Sequence, residues 1–127
     1  MPSSKRNFGD WGEDLARKFL EKNDFEILKN NFQKRFGEID IIAEKKGSLH
    51  FIEVKTRTES SVKKFGLPEE AVTEKKQQKI IATAETYLAE NDYPSDTDWQ
   101  IDIISIITDN SGNWAKINHI LNAFDEN

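Results

Sequence analysis

The chain has 127 residues, 36% of them hydrophobic and 32% charged, with a formal net charge of −5. That size and mix suit one globular domain, residues 1–127, around one modest core. No cysteine is present, which excludes disulfides and thiolate metal centres, and the opening MPSSKRNFGDWGED has no apolar run, so neither a leader peptide nor a membrane span is expected and the cytoplasm is the expected compartment.

Taken in chain order, Phe8, Trp11, Leu15, Ala16, Phe19 and Leu20 recur at steps of three and four, which predicts an amphipathic helix over about 8–22. Phe25, Ile27 and Leu28 suggest a short strand. GEIDIIAE (37–44) and SLHFIEVK (48–55) read as two strands joined by a tight turn at Lys45-Lys46-Gly47. A basic loop, Thr56 to Leu67, follows. Pro68-Glu69-Glu70 then opens a helix, because proline suits the first turn and acids suit the positive helix end. Val72, Ile80, Ile81, Ala84, Tyr87 and Leu88 form its apolar face. WQIDIISII (99–107) is apolar on both faces apart from Gln100, Asp102 and Ser105, as a central strand would be. Residues 112–119 complete the set as an edge strand. The order α-β-β-β-α-β-β, with a long helix between strands, predicts an α/β fold with a mixed central sheet flanked by helices.

The stretch SLHFIEVKTR (48–57) places Glu53 and Lys55 on one face of its strand, since side chains two apart point the same way. If Lys46-Gly47 centres the hairpin, Ile42 faces Phe51, Asp40 faces Glu53 and Glu38 faces Lys55. Ile39, Ile41, Ile52 and Val54 then form the opposite, core face. Like charges directly across a strand pair, with Cβ atoms about 4.5–5.5 Å apart, destabilise it. A hard divalent cation between Asp40 and Glu53 reverses that sign, because Mg²⁺ takes carboxylate oxygens and substrate phosphate together. Lys55 is then placed to position a water or stabilise charge on phosphorus. The competing structural reading is a Glu38–Lys55 ion pair with Asp40 solvated at a sheet edge. His50 shares the parity of Ile52 and Val54, so it points away from Glu53 and reads as a packed or surface histidine.

Five blocks in order carry a resemblance: GDWGEDLARKFL (9–20), GEIDIIA (37–43), IEVKTR (52–57), GLPEEAVTEKKQQKI (66–80) with AETYL (84–88), and IDIISI (101–106). The aspartate followed by E-x-K on the next strand resembles the restriction-endonuclease-like nucleases. The whole pattern is similar to the YraN-like family of small bacterial proteins, related to the archaeal Holliday junction resolvases. That resemblance implies a restriction-endonuclease-like domain in which Glu13, Asp40, Glu53 and Lys55 match the family's acids and lysine. It also implies that Lys76 and Gln77 border the site from a helix. Gln77 interrupts the apolar face of its helix, and its alternative role is a glutamine satisfied by backbone groups. Three positions depart from the wider pattern. Ile39 stands where the superfamily has a proline, Asp24 where the family has a glycine, and Gln100 where it has an arginine.

Charge is unevenly spread. Residues 45–79 carry 9 basic and 5 acidic side chains, whereas residues 80–127 carry 1 basic and 9 acidic. A local basic region beside an acidic cluster can meet a polyanion despite the negative total. Arg57, Lys63, Lys64, Lys75, Lys76 and Lys79 are therefore candidates for phosphate contacts. The expected function is Mg²⁺- or Mn²⁺-dependent hydrolysis of DNA, with Asp40, Glu53 and Glu13 as metal ligands. Branched DNA is implied by the resolvase kinship alone. A nucleic-acid-binding module of the same fold that cleaves little or not at all is the main alternative. A partner-binding protein docking through its acidic 80–127 region is a third, and a homodimer is left open.

Overall fold

The computed structural model of the chain describes residues 5–124. Helix α1 (Lys5–Lys22) leads into β1 (Glu26–Lys34), β2 (Gly37–Lys45) and β3 (Ser48–Thr58). Helix α2 (Glu59–Phe65), a 3₁₀ turn (Pro68–Ala71) and helix α3 (Glu74–Glu90) follow, then β4 (Trp99–Thr108) and β5 (Ala115–Ile120). The five strands form one mixed sheet in the order β1-β2-β3-β4-β5. β3 and β4 run parallel, from Leu49–Trp99 to Thr58–Thr108, and the other neighbours are antiparallel. Among the described residues, no helix is long and apolar enough to cross a membrane.

Two apolar layers cover the sheet. On one face, Ala16 and Leu20 of α1 pack with Phe25, Ile41, Ala43, Ile52, Val54, Ile104 and Ile106. On the other, Ile80, Ala84 and Tyr87 of α3 pack with Phe32, Ile39, Ile42, Leu49, Phe51, Ile101 and Ile103. The predicted strand β4 is central, as its two apolar faces require. α1 closes in a hydrogen-bonded C-terminal turn, with Phe25 N–H donating to Leu20 O at 3.0 Å across left-handed Asp24 (φ 68°). Glycine is at home in that conformation.

The segment from 56 to 74 differs from expectation. It is not a loop followed by one helix. β3 runs on to Thr58, whose Oγ1 accepts from Ser61 N–H at 3.2 Å and caps α2. Glu59 sits in the first turn of α2, and Lys63 and Lys64 in its last, each matching the helix dipole. No residue of α2 is buried, so it carries no apolar period to read. Pro68 opens the 3₁₀ turn instead of the long helix, and α3 starts afresh at Thr73, whose Oγ1 caps Lys76 N–H at 3.3 Å. β1 is also longer than its sequence suggests. It is an edge strand with one buried side chain, Phe32, and its register slips between Ile27 and Lys29.

Candidate functional site

The hairpin register follows the turn. Lys45 pairs with Ser48, Ile42 with Phe51 and Ile41 with Ile52. Past Ile41, however, the expected pleat changes. Ile39 packs in the α3 layer with Phe32, whereas Ile41 packs in the α1 layer. Opposite this point, on β1, Asn31 falls between the pairs Asn30–Ile41 and Phe32–Ile39 and is left-handed (φ 52°). A left-handed residue interrupts the alternation of faces. Asp40 sits at this interruption. It is buried, and its Oδ2 accepts Val54 N–H at 2.8 Å. So Asp40 reaches sideways to the β3 backbone and does not simply stand across from Glu53 on one face.

Glu53 and Lys55 lie on the α3 side of β3, in line with Phe51. Lys55 Nζ is 3.4 Å from Glu53 Oε1. The expected alternative partner is otherwise engaged: Glu38 Oε2 accepts from Gln33 Nε2 on β1 at 3.1 Å. Lys76, at the start of α3, approaches the same place. Its pKa is lowered first by the charge of Lys55 and then by burial, with Glu53 opposing. Glu13 comes from α1, in the opposite layer, and meets this group through the charge of Asp40. Gly12 lets α1 lie against β3: a Cβ there would collide with Thr56 Oγ1. On the opposite layer Gly37 plays a similar part, since its Cβ would meet Thr83 Oγ1 at 2.6 Å.

The three acids are electrostatically strained. Burial, then the charge of Glu53, pushes Asp40 up to about 7, only partly offset by the hydrogen bond from Val54 N–H. Burial, then the charges of Asp40 and Asp10, pushes Glu13 up to about 7. Burial also raises Glu53, against the pull of Lys55. Glu13 feels Asp40 and Glu38, while Asp40 feels Glu53, so Asp40 links the acid on α1 to the pair on β3.

The remaining expected residues are distributed around this centre. Gln77 is half-buried and donates through Nε2 to Val72 O at 3.2 Å, which satisfies it with backbone. Arg57 is committed to structure: Nη1 donates to Phe65 O at 3.0 Å and Gly66 O at 2.7 Å, tying α2 to β3. Lys63 and Lys64 are exposed on α2, next to an exposed Phe65. Lys75 and Lys79 line a groove of about 480 Å³ with Arg35 and Phe36. Two residues near the centre were missed from sequence. Glu69, on the 3₁₀ turn, accepts from Ser105 Oγ at 2.9 Å, and Ser105 is the β4 partner of Lys55. Nothing in the spacing of PEEA marks Glu69, because an acid after proline already serves the helix end.

A second buried polar group lies elsewhere in the sheet, across β3, β4 and β5. Asp102 is fully buried, with Oδ2 at 2.6 Å from His50 Nδ1 and 2.8 Å from His119 Nε2. Its Oδ1 accepts from Gln100 Nε2 at 2.8 Å and Asn122 N–H at 2.9 Å. Burial would raise Asp102, but the four hydrogen bonds outweigh it and hold the carboxyl well below its usual range. The available signal was an aspartate in the middle of an otherwise apolar central strand.

A mixed five-stranded sheet between helices, with an aspartate on one strand and E-x-K on the next, is the restriction-endonuclease-like arrangement. Residues 12–106 match the family described as "Uncharacterised protein family UPF0102", and the chain belongs to that family. It is the YraN-like family that the sequence motifs resemble. A UPF0102 protein of Roseiflexus castenholzii is 36% identical over 126 residues, covering 99% of both chains. One of Caldanaerobacter subterraneus is 42% identical over 122 residues, covering 95% of this chain and 97% of its own. One of Persephonella marina is 43% identical over 117 residues, covering 92% of each.

Proposed function

We propose that the chain is a divalent-metal-dependent nuclease that hydrolyses phosphodiester bonds in DNA. One observation carries the reading: buried Asp40 and half-buried Glu53 crowd beside Lys55, and burial raises both carboxyl pKa values. A chain gains no stability from such crowding, whereas an all-oxygen donor set of this kind suits Mg²⁺ or Mn²⁺. Asp40 and Glu53 would hold the ion, with Glu13 adding an oxygen directly or through water. The ion would neutralise charge on the scissile phosphate and lower the pKa of a bound water.

The chain's own residues do the rest. Lys55, a fixed cation held by Glu53, positions the phosphate and the attacking water. Lys76 adds positive charge at the mouth of the site. Lys63 and Lys64, with Lys75, Lys79 and Arg35 on the other flank, supply phosphate contacts that give affinity without sequence information. Phe65 offers an exposed ring among them for stacking on a base.

The test is to incubate the purified chain with labelled duplex, single-stranded and four-way-junction DNA in Mg²⁺, Mn²⁺ or EDTA. Cleavage with metal and none with EDTA is expected. Salt-dependent binding without any cleavage would favour a nucleic-acid-binding module instead. Charge reversal at Lys63 and Lys64 should flatten the dependence of binding on salt, because fewer counterions are released.

A further inference from the structure

We propose that His50, Asp102 and His119 form a binding site for a late first-row transition metal, Zn²⁺ above all, separate from the carboxylate centre. His50 Nδ1, Asp102 Oδ2 and His119 Nε2 all lie within 4.8 Å of one another. They come from three adjacent strands, β3, β4 and the edge strand β5, so their backbone positions are fixed by the ladders between them. Two imidazole nitrogens and one carboxylate oxygen are a donor set suited to zinc and unsuited to magnesium.

The surroundings are arranged as a ligand shell requires. Gln100 Nε2 and Asn122 N–H occupy Oδ1 of Asp102, which leaves Oδ2 turned to both histidines. Hydrogen bonds to the outer oxygen of a ligating carboxylate fix its orientation in the same way. Phe25 sets the ring planes, edge-on to His50 at 4.9 Å between centroids and 5.6 Å from His119. A tetrahedral zinc with donors at about 2.0–2.1 Å holds neighbouring ligand atoms about 3.3 Å apart. The present contacts of 2.6 and 2.8 Å would open by roughly half an ångström, within reach of small side-chain rotations. Beside the histidines a groove of about 330 Å³, bordered by Asn23, Lys45 and Lys46, gives the fourth position access to water or an anion.

The experiment uses the full chain without a histidine tag. Its two histidines are the only imidazoles, so ring nitrogen resonances assign the site without ambiguity. Zn²⁺ is titrated at neutral pH into ¹⁵N-labelled protein, and heat of binding is measured in parallel. One equivalent should shift both rings, most strongly at His50 Nδ1 and His119 Nε2, while Mg²⁺ leaves them unmoved. Binding should persist in Asp40→Asn and weaken at least about tenfold in His119→Ala, whose folding is checked by its circular dichroism and melting curve. Rings that stay unmoved in excess Zn²⁺ overturn the proposal, and that result needs no variant. So does zinc binding that disappears in Asp40→Asn, which would assign the ion to the carboxylate centre.

Discussion

Asp40 and Asp102 are both buried aspartates in one sheet, on strands that flank β3, and their pKa values move in opposite directions. Burial raises both. Asp102 then gains four hydrogen bonds, two from histidine rings, and ends below the usual carboxylate range. Asp40 gains one, from Val54 N–H, and feels the charge of Glu53, so it ends at about 7. Desolvation is therefore not what separates them; the number of donors and the sign of the neighbours are. Four internal donors hold Asp102 as an anion. One donor and three surrounding acids make a site that favours a cation from outside.

The sharpest way to break that contrast is through activity. Asp40→Asn, Glu53→Gln and Lys55→Ala should each reduce metal-dependent DNA cleavage at least about 100-fold, as loss of a group aimed at developing charge does. His119→Gln should leave cleavage within about twofold. A labelled-DNA time course decides both, and equal losses from the two regions would erase the distinction.

Stability should separate the two aspartates by sign. Asp102→Asn puts an amide among four donors and should cost about 2–4 kcal/mol in urea unfolding. Asp40→Asn keeps an oxygen for Val54 N–H and removes a repelling charge, so the metal-free chain should gain ~0.5–1 kcal/mol. The pH dependence follows from the shifts. With its folded pKa raised from 3.8 to about 7, Asp40 makes the folded state hold a proton that the unfolded chain releases, so stability falls as pH rises through that window. Asp40→Asn should flatten this slope and show its full gain only above it. Asp102, lowered from 3.8, contributes fully above that value and loses its contribution as pH falls below it.

Gly12→Ala tests whether Glu13 belongs to the strained site. The added methyl meets Thr56 Oγ1 and should cost about 1–3 kcal/mol, with Thr56→Ala restoring much of it. By moving α1 off β3, it should also shrink the rise in melting temperature produced by Mn²⁺. The smallest effect is a control. Asp24→Gly relieves a left-handed aspartate at the end of α1 and should stabilise by about 0.5 kcal/mol without altering either aspartate's behaviour.

Much of the architecture could be read from residue order. The turn at Lys46-Gly47 set the β2–β3 register correctly as far as Ile41–Ile52, because two-residue turns leave little freedom. The change of face at Asp40 could not be read, since nothing in GEIDIIA marks it and the left-handed Asn31 opposite it sits on a different strand. α2 left no trace in hydrophobic periodicity because it buries nothing. The acids at 13, 40 and 53 and Lys55 were nameable through a motif. The His50–Asp102–His119 group was not, because its members lie 17 and 52 residues apart and meet only when the strands pair.

That same uncommitted helix, α2, has an evolutionary meaning. It is held by the Thr58 cap and by Arg57 reaching two carbonyls at its far end, and no core contact depends on its side chains. Lys63, Lys64 and Phe65 can thus be exchanged with little effect on folding. Descendants of one scaffold can re-tailor what they grip at this position, generation by generation, while the strand beneath it keeps Glu53 and Lys55 in place.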